Sequence, residues 1–133
     1  MYSYLLQDWT SPKVAAADGS LIQSEADWLS FQPYQDIIFY VECKGVDTGG
    51  TDHIALTFET SPSKDESMFQ KMTEVHLDPG TVGTVQIAKV ILSQNPDVPL
   101  ARFVRWRLKT DSASTDWSAT FRVYCAANAV GPL

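Results

Sequence analysis

The stretch ARFVRWRLKTDSASTDWSATFRVYCAA, Ala101 to Ala127, decides how the rest of the chain is read. From Arg102 to Lys109 one parity carries Val104, Trp106 and Leu108; the other carries Phe103, Arg105, Arg107 and Lys109. From Trp117 to Cys125 the apolar parity is Trp117, Ala119, Phe121, Val123 and Cys125, against Ser118, Thr120, Arg122 and Tyr124. Strand side chains point alternately to opposite faces, so each segment predicts a strand with one buried and one outward face. Val, Thr and aromatic residues dominate and no 3.6-residue period appears, which argues against a helix. Thr110 to Asp116, TDSASTD, is turn chemistry. It is expected to join the two strands as a hairpin with Leu108 opposite Trp117 and Trp106 opposite Ala119. A slip of one residue would bury arginines, so the register is strongly specified.

The same reading extends toward the N-terminus. Asp36 to Val46, DIIFYVECKGV, puts Ile37, Phe39, Val41 and Cys43 on one face. Asp47 to Asp52, DTGGTD, is a glycine-bearing loop of the kind that closes hairpins, and His53 to Thr60 returns with Ile54, Leu56 and Phe58 inward. Lys71 to Leu77 is a further strand. Val82 to Leu92 is apolar on both parities, as a strand covered on both faces would be. Met1 to Trp9 is either a first strand or an arm, within residues 1–12, that packs on another subunit; residues 129–133 are expected to be a loose tail. Seven to nine strands with no helix predict an all-β, single-domain antiparallel β-sandwich, jelly-roll-like, spanning 1–133.

A chain of 133 residues is one domain with enough surface to bury for a core without metal or disulfide help. It holds 44% hydrophobic and 20% charged residues, ordinary for a globular protein. No apolar run approaches a membrane span and MYSYLLQDW is not a secretory signal, so cytoplasmic synthesis, with a place on a particle surface, is expected. Cys43 and Cys125 both fall on inward parities. They are read as buried free thiols, with a disulfide open if their strands face each other across the sandwich. The net charge is −6, yet of the 16 acids and 10 bases, two acids and five bases lie in 101–133. An acidic chain does not bind nucleic acid non-specifically. A basic stripe of Arg105, Arg107, Lys109 and Arg122 then either meets a protein partner or pairs with acids on neighbouring strands. On the first reading, Arg105→Glu with Arg107→Glu leaves folding largely intact.

Catalytic and cofactor chemistry finds little footing. The two histidines, His53 and His76, sit in separate outward positions and read as surface side chains; no nucleophile elbow, zinc motif or phosphate-cradling loop is present. No catalytic, cofactor or metal residue is assigned and the chain is read as a non-enzyme. The Asp47–Asp52 loop has two carboxylates but no third nearby for calcium. Trp106 and Trp117 are on the core parity. Trp9 and Trp28 flank loops and, with Tyr2 and Tyr4, are candidates for a partner surface or for stacking on sugar.

The segments IIFYVECKGV, the Gly/Thr turn, ALTFETSPSKDESMF and RFVRWRL together resemble small β-sandwich proteins of tailed-phage and phage-like particles. That resemblance implies a structural or decoration role in a capsid, tail or related assembly, with self-association or contacts to shell proteins and no catalytic residues to carry over. The alternatives are a carbohydrate-binding sandwich module using Trp9 or Trp28, and a protein-binding adaptor.

Overall fold

Alternation puts the apolar parities of the two long C-terminal segments into the core, but on opposite sides of it. The computed structural model describes residues 2–111 and 113–129. Among the described residues there are ten strands: β1 (Tyr2–Thr10), β2 (Lys13–Val14), β3 (Ser20–Ile22), β4 (Leu29–Ser30), β5 (Tyr34–Asp47), β6 (Ile54–Ser61), β7 (Gln70–Leu77), β8 (Val85–Val90), β9 (Phe103–Lys109) and β10 (Trp117–Ala129). Four single 3-10 turns, at Glu25–Asp27, Glu66–Met68, Pro79–Thr81 and Leu92–Gln94, interrupt the loops. Two antiparallel sheets pack as a sandwich. Sheet I runs β1-β10-β5-β8, with β2 added to β10; sheet II runs β3-β9-β6-β7, with β4 added to β9. The strand count exceeds the expected seven to nine because β2 and β4 are two-residue pieces.

The inward parities hold throughout. Ile37, Phe39, Val41, Phe121 and Val123 of sheet I are fully buried against Ile54, Leu56, Phe58, Val104 and Leu108 of sheet II. Phe39 stacks on Phe58 at 3.9 Å, and Trp106 meets Phe121 edge-on at 5.1 Å. Side chains that interdigitate between sheets in this way are the usual source of sandwich stability.

Neither expected hairpin forms. β9 pairs with β6 and β3, with Phe58 opposite Trp106, while β10 pairs with β5 and β1, with Val123 opposite Val41. β5 and β6 likewise lie in different sheets. The connections cross the core edge instead of turning back beside their own strand. Stacked sheets are about 10 Å apart and paired strands about 4.8 Å, so a loop of six or seven residues reaches either partner. The two crossing loops hold each other. The Gly49 carbonyl accepts from the Ser114 and Thr115 backbone N–H groups and from Ser114 Oγ. Gly49 has φ +64, and a Cβ there would lie 2.6 Å from the Thr115 carbonyl, so only glycine fits this docking.

Tyr2–Thr10 forms the edge strand of sheet I, hydrogen-bonded to β10, as the first-strand alternative expects. β8 is the other edge. The expectation that Val82 to Leu92 is covered on both faces fails, because Ala88 and Val90 point into the core while Val85 and Ile87 face solvent. Cys43 and Cys125 lie in the same sheet, opposite Phe121 and Phe39 respectively. Four residues of strand separate them, roughly 13 Å. A disulfide needs the two Cα atoms within about 7 Å. Both thiols are free, and burial pushes both up in pKa. The expected tail falls largely on residues 130–133, outside the described residues; Ala129 still belongs to β10.

Candidate interaction face

The two sheets turn different outer faces to solvent, and the residues singled out from the sequence divide between them. On sheet II the outward side chains of β9 run Arg105, Arg107 and Lys109. Their neighbours on β6 are Glu59, Thr57 and Ala55. Arg105 is 1% exposed, so the expectation that it faces solvent does not hold. Its Nε donates to Glu59 Oε1 at 2.8 Å. Its guanidinium lies 3.9 Å from the Phe69 ring centroid and 4.8 Å from that of Trp28. These two rings form a roof over an outward-pointing residue. They come from segments distant in sequence: Trp28 follows the Glu25–Asp27 turn and Phe69 follows the Glu66–Met68 turn. Arg107 is half-buried and its Nε lies 3.2 Å from Glu59 Oε2, so one carboxylate serves two arginines. Lys109 alone of the three is exposed. The two arginines therefore pair with one acid of their own sheet.

Trp28 is fixed in place. Its Nε1 donates to the Gln23 carbonyl at 2.9 Å, and its ring meets Phe69 at 4.9 Å. Gln23 is itself buried in the gap between the sheets. Its Nε2 donates to the Leu6 carbonyl of β1 at 2.7 Å, and its Oε1 accepts from the Trp106 N–H of β9 at 3.3 Å. The sequence around Gln23 carries no signal of this role.

At the far end of sheet II, His53 and His76 stack at 3.9 Å with their planes 14° apart. They line a shallow hollow of about 240 Å³ with Lys71, Glu74, Lys109 and Asp111. The Lys71 ammonium, 2.9 Å from Glu74, holds that carboxyl below its usual range. Among the described residues no group of three or more His, Cys, Asp or Glu is placed to hold a metal ion. In the Asp47–Asp52 loop, Asp47 Oδ1 accepts from the Gly49 N–H at 3.1 Å, which commits that carboxylate to its own turn.

Sheet I differs. Its outward side chains form a row that crosses all four strands: Leu5 opposite Tyr124, Tyr124 opposite Tyr40, and Tyr40 opposite Ile87. These four are 41%, 43%, 37% and 57% exposed. Two residues along each of the inner strands, Arg122 is opposite Glu42, and Glu42 is opposite Val85, which is 58% exposed. Arg122 donates to Glu42 Oε1 through Nε at 2.9 Å and Nη2 at 2.7 Å. Trp9 closes this end of the face, with Lys44 Nζ 4.0 Å and Arg122 4.8 Å from its ring centroid. Of the remaining candidates, Tyr2 is exposed at the sheet edge. Tyr4 packs edge-on against Phe31 and shares a hydroxyl contact with Tyr34. Of the residues singled out from the sequence, Trp9 and Arg122 lie on this face; Leu5, Tyr40, Val85, Ile87 and Tyr124 were not among them. A row of this kind depends on the register of four strands, which one sequence does not display. Its local trace is the double-sided apolarity of β8.

No protein-family model matches the chain, and no curated protein matches it. Among solved structures it is similar to chains in the structure of infectious bursal disease virus Gx strain and in that of the Gt strain. Each match has 10% sequence identity and a TM-score of 0.44 and covers 93% of this chain. The chain spans about a third of the length of those neighbours, 30% and 32% respectively.

Proposed function

We propose that this chain is a non-enzymatic structural or decoration subunit of a symmetric, virion-like protein assembly, with protein as its partner and a particle surface as its place. The observation that carries the reading is the apolar row across the outer face of sheet I. Sheet II covers its outward arginine with two aromatic rings of its own chain. Sheet I leaves five apolar side chains in one contiguous, solvent-facing patch. Contiguous exposed apolar surface rimmed by charge is characteristic of a protein–protein contact.

The strand order supports this. Apart from the short β2 and β4, eight strands form two four-stranded sheets, and successive strands change sheet at every step except β6 to β7. That alternation fits a jelly-roll reading of the sandwich, an architecture used in capsid subunits and also in lectins and cupins. Fold alone does not choose among those uses; the exposed apolar row is what favours a protein contact.

Sedimentation velocity over a wide concentration range, followed by electron microscopy of the concentrated protein, tests the proposal. Discrete species of fixed stoichiometry are expected to grow in with concentration. A chain that stays monomeric up to hundreds of micromolar contradicts it.

A further inference from the structure

The outer face of sheet I is self-complementary about one line, and from this we infer that its partner is a second copy of this chain, docked face to face about a two-fold axis that runs parallel to the strands between β10 and β5. This rests on the assembly reading above and names its contact. The strand order is β1-β10-β5-β8, so an axis between the middle two strands exchanges β10 with β5 and β1 with β8. Residues at one level on one copy then meet the exchanged residues at the same level on the other. Leu5 comes over Ile87 of the second copy, and Tyr124 over its Tyr40. At the next level Arg122 comes over Glu42 of the second copy, and Glu42 over its Arg122.

Each of these three pairings is of like apolar character or opposite charge, and each occurs twice, which is the requirement of an isologous contact. The remaining outward bases do not collide. Lys89 lies level with Ser3 through Ile38 and Ala126, and Lys44 lies at the bulge beside Thr120. Moving the axis by half a strand spacing, onto β10, would set Arg122 over its own copy and lose the charge match. Four strands spaced about 4.8 Å apart offer a face on the order of 20 by 30 Å. With side-chain relief that is comparable to the roughly 800 Å² per partner of a standard interface. A chain of net charge −6 repels its own copies in general, so a locally matched face is what such a contact needs.

The test uses charge reversal and mixing. Arg122→Glu sets two carboxylates against each other at both ends of the two-fold contact, and Glu42→Arg sets two guanidiniums there. Each variant alone should associate about tenfold or more weakly than the wild type. An equimolar mixture of the two restores opposite charges at both positions, so it should recover a heterodimer by sedimentation equilibrium and native mass spectrometry. Ile87→Lys, on an exposed edge position where folding is indifferent, should weaken association to a similar extent. Circular dichroism confirms that each variant is folded. If the wild type associates but Ile87→Lys and the charge reversals leave it unchanged, or the mixture shows no recovery, this contact is wrong while the assembly reading stands. If the wild type does not associate at all, both fail.

Discussion

Arg105 on sheet II and Arg122 on sheet I share a parity, a side-chain chemistry and a carboxylate partner on the adjacent strand, yet they sit in opposite surroundings. Arg105 is sealed under Trp28 and Phe69 and bonds Glu59 where water does not reach. Arg122 bonds Glu42 at a half-exposed surface beside uncovered tyrosines. Outward parity therefore states which side of a sheet a residue occupies. Whether that side is wet is decided by the loops that fold back over it. The consequence for energetics is large: a buried pair broken at one partner costs several kcal/mol, whereas an exposed pair contributes little.

The sharpest way to break the comparison is the double substitution Arg105→Glu with Arg107→Glu. It gathers three carboxylates, Glu59 among them, beneath two aromatic rings. We expect a loss of about 3–5 kcal/mol or outright unfolding, measured by urea denaturation. Stability within about 1 kcal/mol of the wild type would show that the Arg105 site is wet, as Arg122 is.

Removing the roof alone is the intermediate case. Trp28→Ala should cost about 2 kcal/mol, below the value for a fully buried ring. It should also make the Arg105–Glu59 pair sensitive to salt, read from denaturation at low and high ionic strength. The smallest effect is expected at Glu74, where sheet II is open. The bond to Lys71 lowers the Glu74 pKa in the folded chain, so its stabilisation is present above the unfolded carboxyl pKa and is lost as pH falls through the folded value. Glu74→Gln should remove that acid-range loss and leave neutral-pH stability nearly unchanged. A melting temperature that depends on pH identically in the two proteins would contradict this.

These differences also mark what can be read from the chain. Alternation in 101–127 and 36–60 identified the buried faces correctly, since Val104, Trp106, Phe121, Phe39 and Phe58 all lie in the core. It failed on pairing, because a strand presents the same inward parity to a neighbour beside it as to one across the sandwich. The six- and seven-residue loops were the available hint, being longer than the two to five residues of most hairpins. Arg105 was placed on the right side of the sheet, but its cover comes from Trp28 and Phe69, and nothing local links those positions. The row from Leu5 to Ile87 joins four strands that are far apart along the chain. In β8 the sequence displayed its apolar content on both parities. Burial on both sides was the natural reading of that, and an open face on an edge strand is the arrangement found.

The contrast between the two faces is most directly measured by hydroxyl-radical footprinting at low and high protein concentration. Tyr40 and Tyr124 should be labelled in the dilute protein and protected in the concentrated one, while Trp28 stays at one intermediate level throughout. Labelling of both tyrosines that does not change with concentration, or protection that appears instead at Trp28, would contradict the account.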